Sequence, residues 1–217
     1  MATSLKKYSE KICELLTPAE RDLFDSLDTP HKIQDFLDDL PMNFVQTARS
    51  PRFVIRKHTA QCIEGAMFAA AVLAYHGKAP LLLDLQAIDE DDDHVIALFR
   101  EHGHWGAISQ TNHAVLSWRD PIYASVRELA MSYPHEYFLQ KNGQPSMRAF
   151  STRPFDLRRY EPHQWLTARE SLWWLATDLD DARHTPVLPR NVERNKLRKA
   201  SSIAHEAAFG HARWKQK

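Results

Sequence analysis

Apolar positions in the first forty residues recur at helical spacing. Leu5, Tyr8, Ile12, Leu15 and Leu16 form one stripe, and Thr17-Pro18 with Glu20 spells a capping box that restarts a helix. Thr29-Pro30 opens a further helix carrying Ile33, Phe36, Leu37 and Leu40, which stops before Pro41. Residues 43 to 54 keep no period and read as irregular. At Thr59, a candidate N-cap, the pattern turns into a helix with Cys62 in its first turn. Its body of Ala66, Ala69, Ala70, Ala71 and Ala74 is small enough to lie close on a sheet, and Gly77 and Pro80 end it.

Three strand-like runs follow, Leu81 to Ile88, Val95 to Phe99 and Trp105 to Ser109, joined by the acidic stretch 89–93 and a turn at 101–104. A simple hairpin there pairs Arg100 with Trp105, Leu98 with Ala107, Ile96 with Ser109 and His94 with Thr111. In that register His94, Ile96, Ser109 and Thr111 share one face, and Asn112 lies on the other unless a bulge turns it. Beyond it, Arg119-Asp120-Pro121 marks a turn, 126–137 a helix, Asn142-Gly143 a turn and 150–157 a strand. A last helix opens at Trp165 and carries Leu172, Trp173, Leu175 and Leu179, its tryptophans completing the core. The order predicts an α+β fold: a helical N-terminal part, a cysteine-bearing helix packed on an antiparallel sheet, and C-terminal helices.

At 217 residues and 43% hydrophobic content, the chain suffices for one substantial core. We expect one domain over 1–189 and a basic, partly helical tail over 190–217, where Arg190, Arg194, Lys196, Arg198, Lys199, Arg213, Lys215 and Lys217 face only Glu193 and Glu206. Such a tail suits an acidic surface, the 89–93 loop of its own or of another copy, so a homo-oligomer stays open. Overall charge balances, 28 against 28, and neither aromatic interleaving nor a binding motif argues for nucleic acid. No apolar run approaches the ~20 residues of a membrane helix, and no signal-peptide core is visible, so a soluble cytoplasmic protein is expected. Two cysteines, Cys13 and Cys62, suggest no disulfide framework. Cys13 reads as a small buried hydrophobe.

Chemistry concentrates between residues 59 and 113. A cysteine in the first turn of a helix meets unpaired N–H groups and the positive end of the helix dipole, and Arg49, Arg52, Arg56 and Lys57 make its approach basic. With His94 on a neighbouring strand and Ser109 or Asn112 to orient it, this is a recipe for nucleophilic acyl transfer, Gln61 being a candidate oxyanion donor. Asp84, inside an apolar strand, requires an arginine or backbone donors. The acidic run with His94 offers a metal-dependent alternative, although its spacing matches no calcium loop, and His102, His104 and His113 are too scattered to define zinc. No cofactor is expected and no metal ligand is assigned.

The phrases CIEGAMFAAAVLAYHG, PLLLDLQAIDEDDDHVIALF, HWGAISQTNH and RDPIYASVRELAMSYPHEYF resemble the transglutaminase-like superfamily, which shares its core with papain-type cysteine peptidases. They look most like a bacterial group of transglutaminase-like proteins of unsettled activity, over roughly 29–184. The resemblance implies Cys62 as nucleophile, His94 as base and a thioester on the way to hydrolysis or transfer of a peptide, protein or small amide. The superfamily's usual aspartate falls on Ser109, which leaves Asn112 as the substitute orienter and a catalytically inactive peptide- or protein-binding module as the alternative.

Overall fold

The computed structural model describes residues 4–209. Helix α5 (Cys62–Tyr75) is buried along almost its whole length, from Ile63 to Ala74. Its alanines permit the close approach: Ala66, Ala69, Ala70 and Leu73 pack with Leu82, Val95, Ala97, Phe99 and Ile108 of the sheet beneath. Around it stand α1 (Leu5–Leu15), α2 (Pro18–Ser26), α3 (Pro30–Asp38) and α4 (Pro51–Lys57). The capping box at Thr17 and Glu20 forms, and Glu20 in turn holds Arg52 of α4 at 2.7 Å. Helix α4 was not legible in the sequence. It starts at Pro51, in N1, where proline's missing N–H costs nothing, and ends at His58 in a left-handed turn.

The sheet consists of β1 (Leu81–Ala87), β2 (His94–Glu101), β3 (His104–Ile108), β4 (Arg119–Tyr123), β5 (Met147–Ser151), β6 (Phe155–Asp156) and β7 (His184–Pro186). Its order is β4-β3-β2-β1-β5-β7, with β6 on β1 and every pairing antiparallel. One face packs on α5. The other holds Leu83, Leu85, Ile96, Leu98 and Ala107 with Leu129, Tyr133 and Tyr137. Helix α6 (Val126–Ala130) is shorter than expected, and the Arg119 turn is instead a strand. Near the end, α7 (Pro162–Leu166) and α8 (Trp173–Asp180) replace the single expected helix. Trp165 is wholly buried, whereas Trp173 and Trp174 are 49% and 40% exposed, so only the first completes the core.

The hairpin register is observed at Arg100–Trp105 and Leu98–Ala107, but the ladder ends at Ala97–Ile108. Beyond it a side chain acts as a strand on the β4 side of β3. The Gln34 amide accepts from the Ser109 N–H at 3.0 Å and donates to the Ser109 carbonyl at 2.9 Å, satisfying the edge that Ala107 turns toward β4.

Tyr8 joins α1 to the far end of the chain. Its hydroxyl accepts from Trp165 Nε1 at 3.0 Å and donates to the Leu157 carbonyl at 3.0 Å. Tyr8→Phe is expected to cost about 1–3 kcal/mol in denaturant unfolding, because it leaves a buried indole N–H without an acceptor.

The described part of the tail includes α9 (Ser202–Phe209), and among the described residues it makes no ion pair with the acidic loop. Arg194 donates to the Pro145 and Met147 carbonyls, and the Ala200 N–H to Gly143, so main-chain oxygens rather than carboxylates hold it. Arg213, Lys215 and Lys217 lie outside the described residues. Among the described residues no helix is long and apolar enough to cross a membrane.

Candidate functional site

Cys62 is the first residue of α5, and Gln61 rather than Thr59 is the N-cap. Local order comes from Glu64, which is fully buried. One of its oxygens accepts from Thr47 Oγ1 at 2.7 Å and the Arg49 N–H at 2.9 Å, the other from the Gln61 N–H and Asn43 Nδ2, each at 3.1 Å. This carboxylate closes the helix start and folds the 43–49 segment over it. The Gln61 N–H is thereby committed to Glu64, while the residue itself lines the cleft beside Cys62. The expected basic field is largely spent on structure. Arg52 belongs to Glu20, Arg49 reaches Thr59 and Asn43, and Arg56 and Lys57 are exposed.

The cysteine opens onto a cleft of about 720 Å³ lined also by Gln61, Asp84, Asp93, His94, Asn112 and His113. At its mouth Phe44 and Val45 are exposed beside Trp173, an apolar lip above an acidic floor. Phe209 of α9 also lines the cleft and lies 4.3 Å, centroid to centroid, from the His113 ring.

The thiol sits 3.8 Å from the Asp93 carbonyl oxygen, at the head of β2. Burial pushes it up to about 11; the Val95 and Ile63 N–H groups pull the other way, and the charges of Asp84 and Asp92 add to the rise. Cys62 is therefore a thiol at neutral pH. His94 is buried, and burial, reinforced by His113, brings its ring down to about 3, so it is a neutral imidazole. The Leu116 carbonyl is its backbone hydrogen-bond partner, while Nε2 is buried without a partner among the described residues. Nδ1–H thus faces the carbonyl, while Nε2 is shielded from solvent and makes no hydrogen bond to the Cys62 thiol.

Strand alternation sends His94 toward the face of Ile96 and Leu98, opposite the face that Val95 and Ala97 present to α5. The two side chains reach one cleft only because His94 is the first residue of β2, where the sheet ends. Ser109 is buried and donates to the same Leu116 carbonyl at 3.1 Å, so it touches the ring's partner rather than the ring. Asn112 is exposed on the lining. Residue pattern alone did not single out Leu116, because a backbone carbonyl leaves no mark in a sequence. Close packing fixes this loop against α5: a Cβ on Gly65 would lie 2.5 Å from Gln110 Cβ. His102 and His104 sit at the far hairpin turn.

Asp84 is wholly buried, and its partner is neither an arginine nor a backbone donor but His184, with Nε2 3.0 Å from Oδ2. Burial depresses the His184 ring, and the bond and charge of Asp84 outweigh that, leaving it raised. Comparison with models of known families found no match to this chain, and comparison with curated proteins found none.

Proposed function

We propose that the chain is a transglutaminase-like thiol enzyme that cleaves or transfers an acyl group through a thioester on Cys62. The observation that carries this reading is the shared cleft, in which a thiol at a helix N-terminus and an imidazole with an unpartnered Nε2 both line the wall. Since thiol and imidazole are both neutral at rest, His94 acts as a general base. Nε2 takes the thiol proton while sulfur bonds to the acyl carbon, and the carbonyl electron pair moves to oxygen beside the N–H groups of the helix start. Collapse of that intermediate expels the amine, which receives the proton from the imidazolium; water or a second amine then releases the acyl group. Leu116 holds the ring, with Ser109 behind it. The apolar lip and acidic floor suit a peptide or small amide bearing an apolar group next to a basic one.

The test is acylation by p-nitrophenyl acetate at pH 7, followed by peptide mass analysis. Cys62 is expected to carry the acetyl group, at least about a hundredfold faster than in His94→Gln. Alkylation by iodoacetamide, which uses thiolate without a base, is expected to rise about tenfold per pH unit from 7 to 10 and to be equal in the two proteins, because a thiol titrating at about 11 gains thiolate throughout that interval. Equal acylation rates in wild type and His94→Gln would remove the base from the proposal.

A second reading, a peptide-binding module without turnover, is favoured by the raised thiol and by the opposite strand faces of the two residues. Its expected signature is retention of peptide in the cleft with no acyl-enzyme formed.

A further inference from the structure

Asp84 stands in the middle of β1, with no exposed surface, among leucines. Its Oδ2 is satisfied by His184, but Oδ1 is buried and has no hydrogen-bond partner among the described residues. Two more carboxylates converge there from distant parts of the chain: Asp93, just before β2, and Asp180, the last residue of α8. One oxygen from each of the three lies within 4.8 Å of the others. Asp93 is oriented by the Ala87 N–H, 2.6 Å from Oδ1.

Three formal negative charges at this spacing, one of them beneath the surface, repel strongly. The cationic groups facing them are His184 and the exposed Arg148, of which only His184 makes an ion pair with the cluster among the described residues. Burial and the neighbouring carboxylates push Asp93 up to about 6 and Asp180 upward as well. The cluster is short of positive charge, and its orphaned buried oxygen is an acceptor that nothing among the described residues fills.

We infer that Asp84, Asp93 and Asp180 bind one hard divalent cation, of the magnesium, manganese or calcium class. The donors are all carboxylate oxygens, which select such ions over zinc or copper, and the open side toward the cleft admits water to complete the shell. His184 fills the supporting role usual at such sites, fixing one ligand by a hydrogen bond to its second oxygen. Because Asp180 ends α8 while Asp84 lies in β1 and Asp93 immediately precedes β2, the ion ties that helix to the strands. This inference does not depend on the thiol chemistry and uses neither His94 nor the exposed part of the acidic loop.

The experiment is titration of the EDTA-treated full chain with Mn²⁺, reading the electron paramagnetic resonance of the free ion. One ion per chain is expected, held with about millimolar or tighter affinity, displaced by Mg²⁺ or Ca²⁺ and accompanied by a rise in Tm with ion concentration. Asp180→Asn, at an exposed position, and Asp93→Asn, at a half-buried one, are each expected to weaken binding at least about tenfold while the far-ultraviolet circular dichroism stays unchanged. Wild-type protein that leaves the Mn²⁺ signal undiminished at millimolar concentration overturns the assignment, as do folded variants that bind as well as wild type.

Discussion

Replacing Glu64 with alanine is expected to lower the unfolding free energy by about 3–5 kcal/mol, read from urea or guanidinium titration. The carboxylate accepts from four donors on two parts of the chain, the 43–49 segment and the start of α5, and two of those donors are backbone N–H groups. Its deletion leaves them facing protein rather than water, at about 1–3 kcal/mol for each that stays unsatisfied. Partial relaxation of the 43–49 segment keeps the total below their sum. Glu64→Gln separates charge from shape. All four partners donate, so whichever oxygen becomes an NH₂ group meets donors, and the loss is expected to exceed half that of alanine. A loss under 1 kcal/mol for alanine would mean that the segment holds without this residue. Because the same residue closes the start of the Cys62 helix, the alanine variant is also expected to label faster with iodoacetamide.

The second large effect is expected at Gly106→Ala, with a loss of about 3 kcal/mol, at the upper end of what overpacking costs. A Cβ at this position would lie 2.4 Å from Phe99 Cζ and 2.8 Å from the Arg119 carbonyl oxygen. The ring can turn only by leaving Trp118, on which it stacks with 5.1 Å between centroids. The carbonyl belongs to the neighbouring strand β4 and cannot swing away alone. A higher β-propensity for alanine than for glycine is worth a fraction of 1 kcal/mol and does not reverse the sign. Thermal unfolding measures the loss; an unchanged Tm would show that β4 shifts freely.

The sequence was most informative where a local rule and burial agree. The Thr17 and Glu20 capping box, the alanine face of α5 and the three successive strands all combine a periodic apolar pattern with its own punctuation. It was least informative where a residue distant in the chain decides. Gln34 satisfies both backbone groups of Ser109 from 75 positions away in sequence. Arg119-Asp120-Pro121 has the composition of a turn and becomes a strand because β3 offers it an edge. The candidate site divides along the same line. Cys62 and His94 could be picked out by residue type and position, whereas the Leu116 carbonyl and the meeting of Asp84 with Asp180 depend on the completed fold.

The outer strands have a bearing on self-association. β4 carries Pro121 and β7 carries Pro186, so each margin of the sheet contains a residue with no amide hydrogen to offer an incoming chain. A second molecule pairing there would forgo a ladder hydrogen bond at each border, which disfavours growth of the sheet from one copy into the next.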